Sequence, residues 1–156
     1  MKRTKTDSIV VHCSASEFGD VAAIRSWHLE RGFGDIGYHA VILNGHRTSR
    51  TKYNVKLDGV ISRGRPETLV GAHCEAQGMN RRSLGVCLIG TPGKGGYPTT
   101  RQLDALVHYL AVKCRQYKIQ SSAITQHSDH DRGKPLCASL DIAVIRQRVR
   151  AKLTKP

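Results

Sequence analysis

The segment Ser8-Ile9-Val10-Val11-His12-Cys13 is the short β-branched run from which the fold can be argued. β-branched side chains favour extended backbone, so this run predicts a buried strand. A helix follows, because Asp20 can cap a segment that runs to Arg31 and stops at Gly32. A second strand is predicted from Tyr38 to Leu43. This alternation of strands and helices predicts an α/β fold.

The rest of the chain continues the alternation. Thr99 and Gln102 form a capping-box pattern at the start of an amphipathic helix that reaches Cys114. An Asn44-Gly45 turn and a hairpin about Asp58-Gly59 are predicted from their turn residues. Further strands are expected from Leu84 to Ile89 and from Ser121 to Gln126, and a last helix from Ser139 to Leu153. We therefore expect one domain over residues 1–156, with its core at about 8–153 and a central mixed sheet flanked by about three helices.

The charge is the strongest global signal. The chain has 25 Lys and Arg against 12 Asp and Glu, a net charge of +13. Such a field attracts polyanions, among them nucleic acid and anionic bacterial surfaces, and does not choose between them. Five cysteines without compact spacing argue for reduced thiols. No secretory signal follows the basic N-terminus, so we expect the protein to stay in the cytoplasm unless something releases it.

The loop His127-Ser128-Asp129-His130-Asp131-Arg132-Gly133-Lys134-Pro135-Leu136-Cys137 holds most of the candidate chemistry. Two imidazoles and a thiol suit zinc better than other common metals. A third candidate ligand, His12, ends the first strand. Three protein ligands with a fourth position left open are typical of a catalytic zinc ion at the loop edge of the sheet. His130 remains a rival to His127 as ligand.

Several short motifs occur together in one order along the chain. They are Val10-Val11-His12-Cys13-Ser14-Ala15, Gly37-Tyr38-His39, Gly71-Ala72-His73, Ser83-Leu84-Gly85-Val86 and the loop from His127 to Cys137. In this ordered set the chain resembles the zinc N-acetylmuramoyl-L-alanine amidases of the type 2 amidase and peptidoglycan recognition protein superfamily. The phage amidase-type lysozymes, or endolysins, look most similar. The resemblance spans roughly residues 8–146.

The resemblance implies that zinc is bound by three residues: His12, His127 and Cys137. It also implies hydrolysis of the amide between N-acetylmuramic acid and L-alanine in bacterial peptidoglycan. Tyr38 matches the family tyrosine that would orient or help deprotonate the attacking water. Lys134 matches the family lysine that would stabilise the oxyanion, although it stands three residues before Cys137, where many relatives place it two before.

Two further histidines are assigned by their positions. His73 is expected on the substrate side of the zinc. His39, next to Tyr38 on a predicted strand, should face the opposite side and is left out of the site.

Two other functions compete with catalysis. The same fold could bind peptidoglycan without cleaving it, although relatives of that kind typically lose the cysteine ligand, which Cys137 retains. A nucleic-acid-binding zinc protein would fit the charge, but the chain has no Cys-x-x-Cys pair or zinc-finger spacing. We therefore expect a monomeric endolysin without a specific nucleic-acid partner, released from the host cytoplasm to the cell wall by a holin-type protein.

Two basic segments are candidates for contact with anionic wall or outer-membrane polymers. One is the excursion near Asn44–Tyr53, which could contact the glycan strand or its anionic surroundings or could be a solvated loop. The other is the last helix, whose apolar residues Leu140, Val144, Ile145 and Val149 should face the core. Its basic residues would then remain in solvent: Arg146, Arg148, Arg150, Lys152 and Lys155.

Overall fold

Five strands form one mixed sheet in the computed structural model, which describes residues 1–154. In chain order they are β1 (Ser8–Cys13), β2 (Ala40–His46), β3 (Tyr53–Arg63), β4 (Ser83–Leu88) and β5 (Ile124–Gln126). Their order across the sheet is β3-β2-β4-β1-β5. β3 is antiparallel to β2, and the other neighbouring pairs are parallel. The predicted single α/β domain with a mixed sheet is confirmed.

Four α-helices cover this sheet: α1 (Val21–Glu30), α2 (Met79–Arg82), α3 (Thr100–Tyr117) and α4 (Ile142–Leu153). Three are long, as predicted, and α2 is a single turn. Asp20 accepts a hydrogen bond from the Ala23 amide at 2.9 Å, which makes it the N-cap of α1. Both bonds of the Thr99–Gln102 capping box are present at the start of α3.

Strand β1, an interior strand of the sheet, is buried on both faces. Ile9 and Val11 pack into the larger core cluster with α3 and α4. Val10 belongs to a separate small cluster with Cys74 and Met79. Because side chains alternate along a strand, His12 points to the same side as Val10, away from α3. It has no exposed surface.

The two predicted glycine turns are wrong, since both dipeptides lie inside strands. Gly45 (φ +85°) and Gly59 (φ +81°) mark irregularities in the pairing of β2 with β3. A Cβ at Gly59 would lie 2.8 Å from the Arg101 carbonyl oxygen, so glycine lets β3 pass close to the start of α3. The real connection between β2 and β3 covers residues 47–52.

The last helix also differs in detail from expectation. It begins at Ile142, after an Asp141 cap, and Ile142 is buried where Val144 was expected to be. Val144 is 46% exposed. Lys155 lies outside the described residues. Within residues 1–154 we find no helix of the length and apolarity that spanning a membrane requires.

The parallel strands bring their carboxyl ends to one edge of the sheet. β1 and β5 are neighbours there, with Val11 opposite Gln126. The residue that follows each of these, His12 and His127, therefore arrives at the same place. This register is how the fold positions the site.

Candidate metal centre

His12 and His127 face each other through the same ring nitrogen. The His12 Nδ1 atom lies 3.2 Å from the His127 Nδ1 atom. His12 is held near the carboxyl end of β1, while His127 opens a short 3-10 turn directly after β5. Two sequence-distant imidazoles are thus fixed by strand pairing and not by a flexible loop.

Cys137 reaches the same point from the far end of its loop. The Ser128 amide donates a 2.7 Å hydrogen bond to the Cys137 carbonyl, which closes the loop. The Cys137 Sγ atom lies 3.8 Å from His12 Nδ1 and accepts from the Cys13 backbone amide at 3.3 Å. The candidate ligand atoms of His12, His127 and Cys137 all lie within 4.8 Å of one another.

The separations of His12 Nδ1 from His127 Nδ1 and from Cys137 Sγ fit a tetrahedral zinc ion. With Zn–N bonds of about 2.0–2.1 Å and Zn–S bonds of about 2.3 Å, tetrahedral angles place two nitrogens about 3.3 Å apart and nitrogen and sulfur about 3.6 Å apart. Burial lowers the pKa of His12 well below its usual value, and burial also lowers the pKa of His127. Both imidazoles are therefore neutral near pH 7, and a neutral imidazole has the lone pair that a metal requires.

His130, the rival ligand, points elsewhere. Its Nε2 atom lies 2.8 Å from the Thr125 hydroxyl, and its Nδ1 atom 2.8 Å from the Gln77 side-chain oxygen. The structure therefore brings His127, and not His130, to His12. The carboxylate nearest His127 belongs to Asp131, whose Oδ2 atom lies 3.7 Å from Nε2.

A cavity of about 270 Å³ opens beside these donor atoms, and Tyr38 and Lys134 both line it. The Tyr38 ring lies 5.1 Å from the His12 ring, centroid to centroid. Burial, followed by the nearby Cys87 and Cys137 thiols, raises the pKa of Tyr38 well above its ordinary value. The phenol is therefore protonated at neutral pH and can act as a hydrogen-bond donor. A hydrogen bond with Tyr38 also acts to lower the pKa of Cys87, which burial raises.

Lys134 lies at the cavity despite its altered spacing. The Cys137 amide donates to the Lys134 carbonyl at 3.1 Å, so Pro135 and Leu136 form the centre of a tight turn. The turn accommodates the extra residue between the lysine and the cysteine. The Lys134 side chain is exposed, and its charge is one of the effects that lower the pKa of His127.

His73 lies behind His12 and is 7% exposed, although its edge reaches the cavity lining. Its Nδ1 atom is 3.0 Å from His12 Nε2. His39, which was left out of the site, is buried next to His73, with ring centroids 5.6 Å apart. The expected contact of His73 with substrate remains a prediction.

Sequence analysis did not predict that α1 and the loop after it form one wall of the cavity. This wall includes Trp27, His28, Arg31 and Phe33. Trp27 packs against a core cluster that includes Ile24, and His28 is buried, so both residues serve packing as well as the cavity wall. The Nδ1 atom of His28 accepts from the Gly37 amide at 2.9 Å and so ties α1 to the segment carrying Tyr38. The concentration of aromatic and basic residues at positions 27–33 is the sequence feature from which this cavity wall could have been predicted.

Comparison with known proteins places these features in a family. A family model described as N-acetylmuramoyl-L-alanine amidase matches residues 2–137. An endolysin of Enterobacteria phage T3 is 36% identical over 147 residues, covering 90% of this chain and 85% of the relative.

Solved structures agree at the level of the fold. An endolysin N-acetylmuramoyl-L-alanine amidase from Clostridium intestinale, LysCS, superposes with a TM-score of 0.76 at 26% identity, over 94% of this chain and 84% of that one. Drosophila PGRP-LB gives a TM-score of 0.67 at 22% identity, over 99% and 84% of the two chains.

Proposed function

Since the chain belongs to the N-acetylmuramoyl-L-alanine amidase family, we propose that its hydrolytic reaction depends on one zinc ion held by His12, His127 and Cys137. The reaction itself is hydrolysis of the amide that joins the lactyl group of N-acetylmuramic acid to L-alanine in peptidoglycan. One observation carries the zinc proposal. Three soft or borderline donor atoms, one from β1 and two from the loop after β5, meet beside a cavity at separations that suit zinc.

In this proposal the zinc ion, Tyr38 and Lys134 have distinct roles. A bound zinc ion supplies Lewis-acid chemistry, polarising a carbonyl group and lowering the pKa of water. The Tyr38 phenol, neutral at working pH, orients the attacking water by hydrogen bonding. The exposed Lys134 side chain lines the same cavity, and its ammonium group would stabilise the negative charge that develops on the amide oxygen.

We propose that this amidase is an endolysin, as its phage relatives are named. It would then act on the peptidoglycan of a bacterial host as a monomer, after a holin-type protein releases it from the cytoplasm. Its net charge of +13 supports attraction to anionic wall or outer-membrane polymers. A specific nucleic-acid partner is not part of the proposal.

Product analysis tests the proposal. Purified peptidoglycan is digested with and without a chelator. The products are then separated, and their masses are measured by mass spectrometry. We expect two products: peptides with a free L-alanine amino terminus, and glycan strands that have lost peptides without being shortened. Chelation should abolish both products, and added zinc should restore them. Binding of peptidoglycan without new amino termini would instead indicate a recognition module.

A further inference from the structure

We propose that His73 is a positioning residue that orients the zinc ligand His12, and that it is not primarily a substrate contact. The inference rests on the zinc centre proposed above. It concerns the layer of side chains behind the metal ligands, whose contacts decide whether a ligand points the right way before the metal arrives.

The two ring nitrogens of His12 have separate partners. Nδ1 faces His127 and Cys137, at 3.2 and 3.8 Å, so it is the nitrogen available to a metal. Nε2 lies on the other side of the ring, 3.0 Å from His73 Nδ1. When Nδ1 offers its lone pair to a metal, Nε2 carries the hydrogen and donates it to His73. The two rings meet nearly edge to face, at 81°.

The fold makes a fitted slot for the His73 ring. A Cβ at Gly71 would lie 2.4 Å from the His73 Cδ2 atom, and a Cβ at Gly85 would lie 2.4 Å from its Cγ atom. Gly85 stands inside β4, which pairs on both sides, a place where glycine weakens a strand and therefore needs a reason. The reason here is room for the imidazole.

The backbone of His73 is fixed as firmly as its ring. The Asn80 side-chain oxygen accepts from the His73 amide at 2.7 Å and from the Cys74 amide at 2.8 Å. Among the described residues, His73 Nε2 makes no hydrogen bond of ordinary geometry. Burial lowers the pKa of His73, and the nearby Ser83 backbone opposes that effect only in part. A buried polar atom without a good hydrogen bond lowers stability. An apolar residue would therefore suit the slot better, unless His73 Nδ1 is needed to accept a hydrogen bond from His12 Nε2.

The two histidine ligands differ in how they are supported. His127 Nε2 lies 3.7 Å from the partly exposed Asp131 carboxylate, an arrangement that solvent can replace. His12 is fully buried, and its Nε2 atom contacts an imidazole that solvent scarcely reaches. Loss of His73 would leave the Nε2 hydrogen of His12 without an acceptor in a place where water does not readily substitute.

The test compares His73→Leu, which removes the acceptor but keeps an apolar side chain of similar size, with His73→Asn. The Asn oxygen can occupy nearly the position of Nδ1. Zinc affinity is measured by competition with a chromophoric chelator, and the visible spectrum of the cobalt-substituted protein reports the ligand geometry. We expect His73→Leu to bind zinc about 10- to 100-fold more weakly, with an altered cobalt spectrum, and His73→Asn to recover most of the affinity.

Steady-state kinetics at saturating zinc complete the test, with the exposed His108→Leu on α3 as the matched control. We expect KM of His73→Leu to stay near wild type. A raised KM with unchanged zinc affinity would overturn the inference and make His73 a substrate contact. Equal loss of zinc affinity in His73→Leu and His73→Asn would also overturn it, because packing would then be the cause. If the wild-type protein binds no zinc, the proposed centre itself fails, which is a different result.

Discussion

His127 and His130 lie three residues apart in one loop, and their side chains take opposite directions. We predict that His127→Ala loses zinc and activity together, because one of three donor atoms is removed. His130→Ala should keep both and lose about 1 kcal/mol of stability for each broken hydrogen bond, to Thr125 and Gln77. The zinc content of both variants is measured by atomic absorption, and their activity is measured on peptidoglycan. Loss of zinc in His130→Ala alone would exchange their roles.

Tyr38 tests the chemistry separately from the metal. We predict that Tyr38→Phe keeps zinc and fold but lowers kcat by about ten- to ten-thousandfold, the range of groups that handle protons or orient water. Because the phenol pKa is raised, the activity of the wild-type enzyme should not require ionisation of Tyr38 near pH 7. Turnover measurements on both proteins at saturating zinc decide this. Full turnover in Tyr38→Phe would remove the phenol from the mechanism.

Which side chains meet was only partly predictable from single residues. His12, His127 and Cys137 could be proposed because their chemistry is distinctive and because strand ends converge. The contact of His73 with His12 could not, since it depends on a slot shaped by two glycines that are far apart in sequence. The role of the α1 wall was hidden because an aromatic residue that packs and one that lines a cavity look alike in a sequence.

At the level of elements, side-chain caps were more reliable guides than glycine turns. Asp20 and Thr99 make local hydrogen bonds that the sequence already specifies, so α1 and α3 begin where predicted. Gly59 failed as a turn signal because its positive φ serves a close approach to α3, a tertiary contact that no local pattern reveals. The prediction for Val144 was wrong because the buried face of α4 is formed by Ile142, Ile145 and Val149, and Val144 lies outside it.

Only some of the basic side chains of helix α4 are free to attract anionic polymers. Arg148 pairs with Asp104 at 2.6 Å, and Arg146 donates to the Ile124 carbonyl at 2.8 Å, so both serve the fold. Arg150 and Lys152 are exposed. We predict that Arg150→Gln with Lys152→Gln lowers activity on intact cell wall by about two- to fivefold at low salt, because long-range attraction weakens.

A soluble muropeptide separates attraction from chemistry in that experiment. Its turnover should stay near wild type, and added salt should erase the difference on intact wall, since screening acts within about 8 Å at physiological ionic strength. Lys2→Gln with Lys56→Gln removes the same charge from other exposed positions. If the two double variants behave identically, net charge matters and α4 does not.

For the molecule as a whole, buried histidines predict sensitivity to acid. Burial lowers the pKa of His39 to about 4, and burial lowers the pKa values of His12 and His73 well below their usual range. Below about pH 6.5 these histidines become protonated in the unfolded chain, whereas in the folded protein they stay neutral until a lower pH. The free energy of unfolding therefore falls as the pH falls. For His39 the loss is on the order of 3 kcal/mol by the time the pH reaches its folded-state pKa.

Urea unfolding of the zinc-free protein between pH 7.5 and 4.5 measures this dependence. His39→Asn can still accept from the Gly85 amide, as His39 Nδ1 does at 2.9 Å, but cannot titrate. Its stability should therefore depend less on pH than that of the wild type, while the exposed His108→Asn should match the wild type. An unchanged pH dependence in His39→Asn would contradict the assignment.

The central claim is that a single zinc ion at His12, His127 and Cys137 makes this chain an amidase. The most direct measurement is a titration of zinc into metal-free protein, with bound zinc and release of L-alanine amino groups from purified peptidoglycan followed together. We predict that activity is absent at the start, rises in proportion to bound zinc and stops rising at one equivalent per chain. Activity in the metal-free protein, or activity that does not follow bound zinc, would contradict the account.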